Sequence, residues 1–368
     1  MALGKVQVNN LNLGQGDIAA IERHFLFIGR AGAVGEESQL FSVNAQTNLE
    51  DALADSNLRD QVIAAQLNAG QNWTAAVYPL ADSEDVFEAI DRANEVQSFE
   101  TVAFCDVSNT AAEITAKHDY LFSLQASHGR FVSGLVAVPG IDEATQTWAA
   151  YEAAQVALVA GLANHLAIPV PQLHANNVGV LAGRLCNYAV SIADSPMRVA
   201  TGSVLGLGTA PVDSADSPLS LATLNTLANA RFSVPQWYPD FEGVYWGDGS
   251  TLDAAGGDYQ YIENIRVVHK ASREVRILAI RRIGNRALNS TPNSIELNKA
   301  YFMKPLREMS KSITILGTPF PGDITPPKDG DIEIVWPTSK SVVIYMVVRP
   351  YNSPKSITVN IMLDLSSI

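Results

Sequence analysis

The chain has 368 residues, 47% of them hydrophobic and 17% charged, with a formal net charge of −13 and a pI of about 4.9. That composition excludes an intrinsically disordered chain and leaves room for two or three domains. So acidic a surface argues against nucleic acid or an anionic membrane as a partner of the whole molecule.

Lys5-Val6-Gln7-Val8 reads as a short strand, followed by Leu11, Leu13 and a flexible Gly14-Gln15-Gly16. No charged-then-apolar leader is visible, so the expectation is a protein that stays in the cytosol where it is made. Phe25-Leu26-Phe27-Ile28-Gly29 predicts a buried strand. A helix is expected from Thr47, where Thr47-Asn48-Leu49-Glu50 has capping-box spacing and Leu49, Leu53, Leu58, Val62 and Leu67 recur at helical intervals. Strands are expected at 74–78, 101–105 and 135–138, and helices at 82–93, 111–125 and 145–166. This alternation predicts an α/β layer with a largely parallel sheet. The 148–166 stretch is the longest apolar run, and Glu152, Gln155, Asn164 and His165 interrupt it, so no bilayer span is expected. Cys105 and Cys186 each lie in an apolar run and read as buried free thiols.

Residues 200–260 are rich in Gly, Pro and Asp, with one helix near 219–232 and a strand at Val244-Tyr245-Trp246-Gly247. Gly256-Gly257 sits in a connector that sets the expected domain boundary at 257/258. Beyond it, 262–283 predicts a helix with Ile262, Ile265, Val268, Ala271, Val275, Leu278 and Ala279 on one side. Arg266, Lys270, Arg273 and Arg276 lie toward the other, with Arg281 and Arg282 beyond. This basic face is an anomaly in an acidic chain. It reads either as a solvated face or as a dock for an acidic partner. Thr291-Pro292 opens a second helix toward Met309, with a kink at Pro305. Strands follow at 331–335 and 341–348, giving an α+β character to this part.

The chain closes on Arg349-Pro350-Tyr351-Asn352-Ser353-Pro354, a stiff connector, and then a well-patterned strand. Ile357, Val359, Ile361, Leu363 and Leu365 share one face; Thr358, Asn360 and Asp364 take the other. No neighbouring segment pairs with it. It needs a sheet edge in its own subunit or in another copy.

Chemistry-bearing motifs are few. Gly202-Ser203-Val204-Leu205-Gly206-Leu207-Gly208 lacks the Gly-Lys-Ser/Thr ending of a phosphate loop. The histidines at 24, 118, 128, 165, 174 and 269 have no metal-ligand spacing on one helix. Asp248, Asp253 and Asp258 lie in a glycine-rich loop without the terminal glutamate of a calcium site, and read as turn residues. No nucleophile elbow is present. The expectation is no enzyme activity, no cofactor and no metal.

Several segments carry a family resemblance. Val244-Tyr245-Trp246-Gly247-Asp248-Gly249-Ser250-Thr251 resembles the Trp-Gly-x-Arg-Thr segment of contractile-tail sheath proteins, with Gly249 where the family has arginine. Phe27-Ile28-Gly29-Arg30-Ala31, Val138-Pro139-Gly140, the 178–184 segment, Ser195-Pro196, Leu224-Asn225, Tyr261–Arg266 and Gly330–Ile334 with Pro337 follow in the family's order, over about residues 25–365. The resemblance implies a two-domain subunit: an N-terminal arm at 1–22, an outer α/β domain at 23–257, an inner tube-facing domain at 258–350 and a C-terminal arm at 351–368. It implies arms, marked by Val6, Val8, Ile357, Val359, Ile361 and Leu363, that add strands to neighbouring subunits. It places Arg266, Lys270, Arg273 and Arg276 toward the tail tube. The implied partners are further copies in a helical stack of hexameric rings, the tube protein, and baseplate and tail-terminator proteins, with no direct nucleic acid and no membrane insertion. The implied location is the virion, after assembly in the host cytoplasm. A tube or baseplate component and an unrecognised soluble α/β enzyme are the alternatives.

Overall fold

The computed structural model describes residues 21–31 and 39–360. The first half is built on a six-stranded sheet of β1 (Phe25–Arg30), β2 (Phe41–Asn44), β3 (Thr74–Leu80), β4 (Thr101–Phe104), β5 (Ser133–Val138) and β6 (Ala167–Pro171), in the order β2-β3-β1-β4-β5-β6. All pairings are parallel except the antiparallel edge strand β2. Helices α1 (Leu49–Ala52), α2 (Asn57–Ala69), α3 (Val86–Val96), α4 (Ala111–His128), α5 (Trp148–Val159) and α6 (Asn177–Cys186) connect and cover these strands. The fold is α/β with a parallel-rich sheet.

Strand alternation sorts the core into two layers. Phe25, Phe27, Val77, Ala103, Leu135 and Ile168 face the layer that α2 and α6 close. Leu26, Ile28, Ala76, Val102 and Val136 face the opposite layer, with Ile90 of α3, Leu121 of α4 and Tyr151 of α5. Each central strand is therefore apolar on both faces, which is why it reads as a continuous apolar run. Helices α2 and α6 touch backbone to backbone: a Cβ on Gly179 would lie 2.0 Å from the Gln61 carbonyl oxygen, and one on Gly183 2.3 Å from that of Ala65.

The helix expected from Thr47 is split. Thr47 Oγ1 accepts from Asn44 N–H at 2.9 Å, upstream of any helix. The chain turns after Ala52 and restarts at Ser56, whose hydroxyl caps α2 by accepting from Arg59 N–H. Strand β6 was not expected, because Pro169 and Pro171 lie within it. As a sheet edge it needs fewer N–H donors, so both prolines fit. The expected 145–166 helix is shorter, ending at Val159.

The second half continues through a 3-10 turn (Val199–Thr201), α7 (Leu221–Asn229) and the hairpin β7 (Pro235–Tyr238) and β8 (Phe241–Trp246) to α8 (Ile262–Ile280). Then come α9 (Pro292–Phe302), α10 (Lys304–Met309), the hairpin β9 (Ile313–Ile315) and β10 (Thr318–Phe320), and the hairpin β11 (Ile332–Thr338) and β12 (Ser341–Met346). The expected kink at Pro305 is the break between α9 and α10, with the proline in the first turn of the second helix. A third core holds Val267, Ala271, Val275, Phe302, Leu306, Ile324, Ile332 and Ile334. Ile262 and Ile265, at the start of α8, belong instead to the two layers of the sheet domain. Helix α8 thus joins the two halves.

Candidate assembly interface

The four basic residues expected to face a tube lie on α8, and most of them turn inward. Arg266 is 2% exposed and donates through Nε and Nη2 to both oxygens of Glu100, at 2.7 and 3.0 Å. Glu100 is itself buried at the start of β4 and also accepts from Arg23 N–H. Burial pushes the Glu100 carboxyl up, but the Arg266 charge and hydrogen bonds outweigh it and hold the group below its ordinary range. Lys270 pairs with Asp323 at 2.8 Å. Arg273 pairs with Glu22 at 2.8 Å and donates to the Phe131 carbonyl. Arg276 alone of the four is exposed; it donates to the His128 carbonyl at 3.2 Å and lies over Gly129. Between them His269 is buried, and burial with Arg273 nearby pushes its pKa down to about 3, so it stays neutral. The sequence reading is corrected here. Arg266 is an internal ion pair, and Lys270 and Arg273 spend their charge on the body of their own subunit. The physical reason is long-range: acids from residues 22, 100 and 323 gather on this face, and nothing local in sequence marks them.

The same contacts fix the start of the described chain. Glu22 is held by Arg273, and Arg23 donates to the Val190 carbonyl and lies over the Tyr188 ring. Val6 and Val8 lie outside the described residues, as do Ile361 and Leu363.

At the other end, the described part of the terminal segment has no strand partner among the described residues. Residues 351–360 form no strand with any other described residue, and Ile357 and Val359 are 76% and 75% exposed. The β11–β12 hairpin, nearby in sequence, is a sheet of two strands among the described residues. Its inward residues, Ile332, Ile334, Ile344 and Met346, pack on the third core. Its outward face carries Glu333, Val335, Val343 and Tyr345, and Tyr345 is 57% exposed. Each strand keeps one unpaired edge among the described residues.

The Trp-Gly segment is structural. Trp246 is fully buried, with its indole N–H donating to Ser233 Oγ at 2.9 Å. A Cβ on Gly249 would meet Ile262 Cγ2 at 2.4 Å, so an arginine has no room there. Asp253 organises its own loop by accepting from the N–H groups of Ala254 and Tyr259. Asp248 does something the sequence reading missed. It lies 2.5 Å from the ammonium of Lys355, which also touches Glu263. A lone cation between the last proline and the terminal strand was the available signal.

At the crevice between β1 and β4, where α/β sheets reverse strand order and commonly bind ligands, the described groups bond to one another. Arg30 pairs with Asp106 at 2.9 Å, Asn57 donates to the Cys105 carbonyl, and Lys117 donates to Ser108 Oγ. Among the described residues, no group of three or more His, Cys, Asp or Glu side chains is placed to hold a metal ion. No helix among them is long and apolar enough to cross a membrane. Cys105 and Cys186 are buried free thiols, and burial raises the pKa of both.

Family models described as the N-terminal and C-terminal domains of DUF2586 match residues 3–250 and 258–366. A protein of Haemophilus phage HP1 (strain HP1c1), assigned as its tail sheath protein, is 46% identical over 377 residues, covering 99% of this chain and 98% of that one. Among solved structures, the contracted sheath complex of the extracellular contractile injection system PVC matches with a TM-score of 0.64 at 11% identity, over 100% of this chain and 99% of that one. The sheath tail protein of Listeria innocua matches with a TM-score of 0.58 at 12% identity, over 91% and 94%. The chain belongs to the DUF2586 family of tail sheath proteins.

Proposed function

We propose that this chain is the structural subunit of a contractile phage tail sheath. Copies polymerise around the tail tube as stacked hexameric rings in an extended, metastable array. On a baseplate signal they shift to a wider, shorter packing of lower energy and drive the tube through the host envelope. The tube protein, the baseplate and a tail terminator are its partners. It is assembled in the host cytoplasm and resides in the virion. No chemical step is required of the subunit; the work comes from interfaces with two stable arrangements.

The observation that carries this reading is the exposed segment at Ile357 and Val359, which pairs with no described strand, in a chain whose β11–β12 hairpin has open edges among the described residues. Main-chain pairing of such a segment with another copy's sheet gives a link that survives movement of the bodies. The outer hairpin edges at β11 and β12 are the acceptor in this reading, with residues 1–22 as the second donor. Of the four basic residues, Arg276 is the one whose exposure suits contact with the tube.

Removing residues 354–368 tests it. The truncated chain should fold and stay soluble but form no striated cylinders in negative-stain micrographs. Cylinders of normal appearance from that truncation would overturn the reading.

A further inference from the structure

Every residue from 351 to 360 is exposed except Lys355. Its side chain is 23% exposed, with the ammonium 2.5 Å from Asp248 Oδ1, 2.5 Å from Glu263 Oε1 and 3.0 Å from Ser195 Oγ. It also lies 4.4 Å from the centroid of the Tyr261 ring. These partners come from separate places: the loop after α6, the loop after β8, and the start of α8. The three donors of the ammonium meet three fixed acceptors. Two of the acceptors are joined without it: Asp248 Oδ1 also accepts from Gly249 N–H at 2.9 Å and from Ser195 Oγ at 3.2 Å.

Most lysines at a protein surface gain little from an ion pair, because water serves as well. This one differs because Glu263 is buried, and its second oxygen has no hydrogen-bond partner. Burial raises the Glu263 carboxyl, and Lys355 is the cation that opposes the rise. Withdrawing Lys355 would leave two carboxylates facing each other, one of them out of water.

We infer that Lys355 is a positioning residue: seated between Asp248 and Glu263, it straps the root of the C-terminal arm across the junction of the two domains, so that the arm leaves the body on a fixed course toward a second copy of this chain. The inference rests on the sheath reading, since a fixed course matters only for an arm that serves a neighbour. An arm held at its root samples fewer directions. Its effective concentration at the neighbour's sheet edge rises, and less entropy is lost on pairing.

The test uses the full chain with a nitroxide attached at I357C; both native cysteines are buried. Three variants are compared: K355M, which keeps the aliphatic stem; K355R, which keeps the charge; and K355M with D248N and E263Q, which leaves no orphaned carboxylate if K355M alone folds poorly. The label should be slowed in the parent and in K355R, and freed in K355M and in the triple variant. Cylinder yield should fall about tenfold in the last two through the lost effective concentration. Equal label motion in the parent and the triple variant overturns the strap. Freed motion with unchanged cylinder yield overturns its directing role. A chain ending at Lys355 separates the two ideas: normal cylinders from it would sink the sheath reading itself, whatever the label shows.

Discussion

The sheet domain and the C-terminal region solve the problem of a strand's hydrogen bonds in opposite ways. In the sheet domain, β1 has a neighbour on each side and helices on both faces, and Phe25, Leu26 and Phe27 are wholly buried. Among the described residues the C-terminal region stops at hairpins of two strands, and β11–β12 has one face on the third core and the other exposed. A pair of strands alone is marginal in water. The first region is complete within one chain, and the second has the form of a component awaiting other strands. On the proposed sheath reading, contacts between copies fall on the unfinished part, while the finished part supplies rigidity.

Three substitutions sharpen or break this contrast. The largest effect is expected at Gly179, where α2 and α6 meet. Gly179→Val places a side chain against the Gln61 carbonyl and should cost about 3 kcal/mol or more by overpacking. Chemical denaturation should show it in the isolated subunit, and a small change would mean that the helices can move apart. Next is the bridge between the two regions. Arg266→Met leaves Glu100 buried without its cation; with the Arg23 N–H still bonded to Glu100, it should cost about 3 kcal/mol, the low end for breaking a buried pair. Unchanged stability with lost tube attachment would restore Arg266 as an outward contact. The smallest effect on the fold is expected on the hairpin's bare face. Tyr345→Lys should change subunit stability by no more than about 0.5 kcal/mol, yet reduce cylinder formation in micrographs. Normal cylinders would remove this face from the assembly surface.

These outcomes also mark what could be read in the sequence. Strands β1, β3, β4 and β5 are legible because a strand buried on both faces needs an unbroken apolar run. Edge elements are harder. Pro169 and Pro171 disguise β6, and β7, β9 and β10 are too short for alternation to register. The period at Ile357 and Val359 predicts a terminal strand, and the described residues there lie exposed with no strand partner among them. The ion pairs are the least legible part. Arg266 and Glu100 stand 166 residues apart, and an arginine on a helix face looks the same in sequence whether it meets water or a buried acid. The helix at 262–280 was visible; the direction of its charges was settled by the fold.

Helix α8 holds the roots of both terminal segments, Lys355 at Glu263 and Glu22 at Arg273. Ten residues of helix separate those two points, about 15 Å of hydrogen-bonded rod. On the proposed sheath reading, a pull arriving through one terminus reaches this rod directly, alongside the covalent path through β1. In that reading α8 and the sheet share the load, and a helix stiff enough to transmit it would let each arm feel strain at the other.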